Sequence, residues 1–301
     1  MRRWGAVGLL VVLATTACGA TTPVAVGTPS VSTAPTPTPT PIRTPTPTPV
    51  KVTTPSDPIT YGMTEGVVRN KLYTAGKVSV MRCALPRPEL TTKTGLLAYG
   101  KVLVACMSKA WAPLVQKSDA VLADVELIAY SARHPKATPE CTDPPAYADA
   151  FYYFGGFTGK ICFDADTFLG SRDQEFNLVD FEQLIAHEYG HHVQYSVGIL
   201  TLYDELMRGK SPAGQYEVMR RKELQASCLG AAFLGANRRL FGLSGERLSD
   251  WRYVVNHVGD EYSKVRDHGS RKNHAYWTTH AFTAADPKAC NTFTAPAGKV
   301  A

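Results

Sequence analysis

The chain has 301 residues, 44% of them hydrophobic, which suits one domain with appendages or two small domains. Of its formal net charge of +6, a net +3 sits on Arg2, Arg3, Arg43, Lys51 and Asp57, leaving +3 on everything after residue 58. So small and scattered a charge argues against nucleic-acid binding, and no glycine-rich phosphate loop or internal repeat stands out.

Arg2 and Arg3 precede an apolar run from Gly5 to Ala14, followed by Thr15-Thr16-Ala17-Cys18. A charged start, an apolar stretch and small residues read as an export signal over residues 1–18. The run is too short for a membrane-spanning helix. Its end is similar to a bacterial lipobox, with Thr15 where Leu is usual. That predicts a lipid anchor on Cys18 at the outer face of the cell membrane, the alternative being simple secretion. Residues 19–58 form a Thr/Pro-rich linker holding eleven of the 21 prolines. Proline removes amide donors and fixes φ, so the segment favours an extended course without a core, fit for a tether. The folded domain is expected over 59–301.

Beyond Cys18 six cysteines remain, an even number in an exported chain, which reads as disulfides. Sequence neighbours suggest Cys83 with Cys106, Cys141 with Cys162, and Cys228 with Cys290. No C-x-x-C spacing supports a cysteine metal site. Leu96, Leu97, Val102, Leu103, Cys106, Ala110 and Trp111 recur at helical spacing, predicting a helix over 95–117 that kinks or stops near Ala112 because of Pro113. Strands are expected at Leu127–Tyr130, around Ala150–Tyr153 and at Lys160–Asp164. The last fits an edge strand able to pair with an extended peptide, though an ordinary sheet strand satisfies the pattern equally.

Next comes Leu184-Ile185-Ala186-His187-Glu188-Tyr189-Gly190-His191-His192-Val193-Gln194. Phe181, Leu184, Ile185 and Val193 mark a half-buried helix, Gly198 is its expected stop, and Asp180 and Glu182 are read as acids near its amino end. His187 and His191, four residues apart, share one helix face and suit a single zinc ion. Glu188 lies about 100° round the helix, able to reach a water without ligating the metal. A surface histidine pair or a structural zinc site is the competing explanation. Catalytic zinc needs a third protein ligand and an open position. Glu223, on a helix expected over Gly214–Leu240, would complete a His₂Glu set.

At these residues the chain resembles the bacterial neutral zinc metallopeptidase family, which carries H-E-x-G-H-H-V-Q and then E-L-Q-A-D-C. His187–Gln194 has the first form, and Glu223–Cys228 the second with Ser227 in place of Asp. Weaker similarity covers Ala110-Trp111-Ala112-Pro113, Ala150-Phe151-Tyr152 and Cys290-Asn291-Thr292-Phe293. The resemblance implies hydrolysis of peptide bonds without naming a substrate. It also implies that Ser227, able to accept a hydrogen bond but uncharged, orients a ligand histidine less firmly than Asp. The family's G-[ST]-x-x-x-R-x-x-W pattern has His274 at the Arg position, a transition-state donor or a neutral change.

The sequence therefore predicts an α+β fold, mainly helical and zincin-like, with a small β-sheet beside the active-site helix. It predicts an exported Zn²⁺-dependent peptidase acting on a peptide or protein, with His187, His191 and Glu223 as ligands and Glu188 as general base. The rival readings are a peptidase fold retired to a cell-envelope binding or scaffold role, which Ser227 favours, and a zinc amidase acting on the cell wall.

Overall fold

The computed structural model describes residues 62–141, 148–155, 158–169 and 173–301. The expected export signal with Cys18 and the linker over 19–58 lie outside the described residues.

The first long helix, α1, spans Lys93–Lys117, with the Thr92 hydroxyl capping its start by accepting from the Gly95 amide. It runs on through Pro113 instead of stopping at Ala112. Proline forfeits one backbone hydrogen bond, but Leu114 and Val115 beyond it are buried, and their packing carries the last turn.

Three strands follow: β1 (Asp124–Tyr130), β2 (Ala150–Gly155) and β3 (Thr158–Asp164). β3 lies in the middle, parallel to β1 and antiparallel to β2. The edge-strand expectation for Lys160–Asp164 is therefore overturned: both sides of β3 are already paired, and the edges belong to β1 and β2. Alternation along β3 splits its side chains between two layers. Ile161 and Phe163 join the main core, whereas Cys162 faces a satellite cluster with Tyr130 and Cys141.

Helix α2 (Gln174–Ser196) crosses the main-core side of the sheet, where Phe181 meets Phe163 edge-on at 5.2 Å between ring centres. The Asp173 side chain caps its start, and Gly198, at φ 82°, follows its end as expected. Because the helix begins at Gln174, Asp180 and Glu182 lie in its second and third turns and are buried. Glu182 does not serve the helix dipole. Its carboxylate accepts from the Tyr99 hydroxyl and pairs with Arg247 at 2.7 Å. Burial on nearly every face explains the weak apolar stripe of this segment.

A short helix α3 (Tyr203–Met207) leads to α4 (Pro212–Ala236), then α5 (Gly245–His257) and α6 (Arg271–Ala284). α4 ends four residues before the expected Leu240, where Asn237 turns its side-chain amide back onto the Phe233 carbonyl. α5 docks on α2 through Trp251, whose indole N–H donates to Gln183, and through Arg247. Disulfides join Cys83 to Cys106, Cys141 to Cys162 and Cys228 to Cys290, the pairing of sequence neighbours. Among the described residues no helix is long and apolar enough to cross a membrane.

Helices α2 and α4 approach until their backbones are in contact. A Cβ placed on Gly190 would stand 2.3 Å from the Ala226 carbonyl oxygen, and one on Gly230 would stand 2.5 Å from that of Ala186. Each glycine thus faces backbone of the opposite helix, and nothing flexible can yield. Gly190→Ala gains helix propensity of about 1 kcal/mol, yet overpacking costs about 1–3 kcal/mol. The expected outcome is net destabilisation, measured as a lower urea midpoint and weaker binding of added zinc.

His192 ties α2 to the sheet. Its Nε2 donates to the Ala123 carbonyl at 3.0 Å and its Nδ1 lies 3.2 Å from the Tyr152 hydroxyl, which donates to it. Both contacts suit the neutral ring, and burial holds its pKa down to about 4, outweighing the Ala123 carbonyl. A histidine depressed in the folded state stabilises fully above its unfolded pKa near 6.5 and loses that contribution as pH falls toward 4. This contribution should lower the melting temperature across this window, against the opposite pull of Glu182 and Glu188, whose carboxyls burial raises to about 7, and His192→Gln should shrink the drop it causes. Some of it will remain, because His187 is depressed to about 3 as well, chiefly by burial.

Candidate functional site

The site is built where the two glycines let α2 and α4 touch. His187 and His191 stand one turn apart on α2, their rings edge to face with centres 4.8 Å apart. Glu223 on α4 brings its Oε2 to 3.3 Å from His187 Nε2 and 3.0 Å from His191 Nε2. Glu188 is 96% buried, with Oε1 4.0 Å from His187 Nε2. His187, Glu188 and His191 each bring a ligand-type atom within 4.8 Å of the others. All four residues singled out in the sequence thus meet at one place.

Each donor atom is aimed by a contact behind it. The Gln194 amide donates through Nε2 to the Lys222 carbonyl and to Gln225 Oε1, both at 2.9 Å. Its oxygen is left to accept from His191 Nδ1 at 2.8 Å. With the proton on Nδ1, the Nε2 lone pair of His191 points at Glu223 Oε2. His187 Nδ1 likewise stands 2.8 Å from Ser227 Oγ. The other oxygen of Glu223, Oε1, is taken by the Lys222 ammonium at 2.8 Å, which also lies over the Tyr203 ring. Burial opposes ionisation of Glu223, but Lys222, His191 and His268 outweigh it and hold the carboxyl well below its usual range. Burial pushes Glu188 up to about 7, a rise only partly offset by His191.

This donor set fits a zinc ion. Two imidazole Nε2 atoms and a carboxylate oxygen converge at 3.0–3.3 Å. Ligands about 2.0–2.1 Å from a tetrahedral zinc stand roughly 3.4 Å apart. Lone pairs so close repel one another unless a cation lies among them.

Ser227 stands where the resemblance implied, beside a histidine of the site, and His274 lies next to it. Ser227 is buried and within hydrogen-bond reach of His187, so the missing carboxylate leaves a contact and not a gap. His274 is also buried, with Nδ1 2.8 Å from the Val255 carbonyl and Nε2 3.1 Å from Ser227 Oγ. Both its ring nitrogens have partners inside the protein, which favours the neutral-change reading over that of a transition-state donor, although His274 lines the same cleft as His187 and Glu223. A different histidine, His268, faces the site. Its Nε2 lies 3.6 Å from Glu223 Oε2, and its Nδ1 lies 2.6 Å from Asp267. The Asp260 carboxylate holds the backbone beneath it by accepting from the amides of His268 and Gly269 at 3.0 Å. His268 escaped the sequence reading because it sits in a loop without periodicity. The adjacent Asp267-His268-Gly269 was the only local hint. His187, Glu223 and His268 open onto one cleft, with Leu184 and Val258 as its apolar wall.

Residues 89–293 match the model of a family described as "Putative neutral zinc metallopeptidase". The chain is similar to "Uncharacterized protein YpfJ" of Escherichia coli (strain K12), 26% identical over 147 residues, covering 45% of this chain and 51% of that protein. It is also similar to "Uncharacterized protein Rv2575" of Mycobacterium tuberculosis (strain H37Rv), 29% identical over 134 residues, covering 38% and 44%. The chain thus spans about half the length of these curated relatives. No solved structure matches it significantly.

Proposed function

The chain belongs to the neutral zinc metallopeptidase family, and on that premise we propose that it is a zinc-dependent peptidase acting outside the cell on a peptide or protein. The observation that carries this reading is the approach of Glu223 Oε2 to His187 Nε2 at 3.3 Å and to His191 Nε2 at 3.0 Å, beside the buried Glu188 carboxylate, whose Oε1 lies 4.0 Å from His187 Nε2. In this reading His187, His191 and Glu223 hold the ion. A zinc ion bound there supplies Lewis-acid polarisation of the scissile carbonyl and lowers the pKa of water. Glu188 takes a proton from the attacking water and delivers it to the leaving amine, and its burial keeps it basic enough to do so. His268, backed by Asp267, borders the cleft where the scissile group would lie and offers a hydrogen bond to it. Lys222 confines Glu223 to one free oxygen, which favours single-oxygen ligation and leaves room for water.

Three disulfides within the described residues suit an oxidising compartment and support the export reading taken from residues 1–18. The anchor on Cys18 rests on sequence alone. Cys18→Ala should move the protein from the membrane fraction to the medium; unchanged partition would remove the lipoprotein reading.

Glu188→Gln keeps the size and polarity of the side chain but accepts no proton. Zinc should stay near one per chain by elemental analysis, while hydrolysis of unfolded protein falls by roughly 10²–10⁴-fold. Glu223→Ala should release zinc instead. A parent chain that binds zinc and cleaves nothing would support the scaffold reading.

A further inference from the structure

Between His187 and the Val255 carbonyl run three contacts in line: His187 Nδ1 to Ser227 Oγ at 2.8 Å, Ser227 Oγ to His274 Nε2 at 3.1 Å, and His274 Nδ1 to Val255 O at 2.8 Å. Ser227 is 2% exposed and His274 4%. The contacts join four helices, with His187 on α2, Ser227 on α4, His274 on α6 and Val255 on α5 at the far end.

We propose that Ser227 and His274 act as a directed hydrogen-bond relay that fixes which nitrogen of His187 carries its proton, so that Nε2 faces the metal site with a free lone pair. The direction follows from the far end. A backbone carbonyl only accepts, so His274 Nδ1 donates to Val255. Burial of His274, 4% exposed, favours the neutral ring, whose Nε2 is then an acceptor, and the Ser227 hydroxyl spends its one hydrogen on it. Ser227 Oγ has only lone pairs left for His187, so His187 Nδ1 must donate. That leaves His187 Nε2 unprotonated, in the form a metal takes. A serine alone would not do this. Free to rotate, its hydroxyl could donate to His187 Nδ1 and put the proton on Nε2, where it blocks the ligand position. His274 removes that freedom. Ser227 and His274 are positioning residues: neither touches the ion or the substrate in this scheme, and both act through His187.

The inference rests on His187 being a ligand, so the test separates the two ideas. The full chain is labelled with ¹⁵N-histidine and the imidazole nitrogens are observed without metal at fixed neutral pH. Zinc affinity is then titrated with the metal alone. The parent should show His187 protonated at Nδ1. His274→Phe removes the acceptor, and should shift His187 toward the Nε2-protonated form while weakening zinc by roughly 10–100-fold. His274→Gln can accept from Ser227 through its oxygen and donate to Val255 through its amide, so it should hold both readouts near the parent. Ser227→Ala should weaken zinc, and His274→Phe added to it should cost little more, since the relay is already cut. Two results would overturn the relay: an unchanged His187 tautomer in His274→Phe, or a loss from His274→Phe that is just as large in the Ser227→Ala background. A fold disturbed by Phe is recognised by the His274→Gln comparison and by unaltered circular dichroism. If His187→Ala binds zinc as tightly as the parent, the ligand assignment fails, while the tautomer measurement still decides the relay.

Discussion

The arrangement depends on two helices approaching until backbone touches backbone. Gly190 of α2 lies against Ala226 of α4, and Gly230 of α4 against Ala186 of α2. Between those contacts the helix axes have almost no freedom. Glu223, 32 residues after His191, can therefore be held 3.0 Å from it. A single methyl group at either glycine would push α4 away and open that spacing. The two glycines lie within one residue of His191 and of the Leu229-Ala231 pair that anchors α4 in the core, so packing and site geometry are one constraint.

Such an approach buries polar groups, and burial obliges each of them to find a partner. Gln194 and Gln225, both fully buried, answer one another and pass the remaining bonds to the Lys222 and Cys290 carbonyls and the Tyr73 hydroxyl. The Cys228–Cys290 bridge ties the same carbonyl to α4. The network aims His191 without any charge, as the Ser227–His274 contacts do for His187. The carboxylate of Glu223 receives the Lys222 ammonium on Oε1, while Oε2 faces the histidines. The site thus concentrates its negative charge where a cation would sit and neutralises it elsewhere.

What could be read in the sequence is what lies within a few residues. Helical geometry alone places His187 and His191 on one face and Glu188 to the side. Gly198 as a stop, the small sheet beside a mainly helical body, and the pairing of Cys83 with Cys106 and of Cys141 with Cys162 follow from local patterns or short separations, and the structure has them all, together with Cys228–Cys290 across 62 residues. Family motifs extended that reach to Glu223, because a motif records packing that spacing does not.

Tertiary structure alone decided the rest. Glu182 looked like a helix-start acid until the helix proved longer and Arg247 lay against it. Lys160–Asp164 became a central strand because β1 and β2 arrive from either side, and no strand encodes its own neighbours. Pro113 failed to end α1 because buried Leu114 and Val115 outweigh one lost hydrogen bond. His268 reaches Glu223 only through a loop closed by Asp260, and Ser227 and His274 meet only because α4 and α6 pack together. Periodicity and capping act over a turn or two of chain and are written in it. The direction of a side chain toward a partner tens of residues away is set by how close two helices can come, and that was decided by the folded structure.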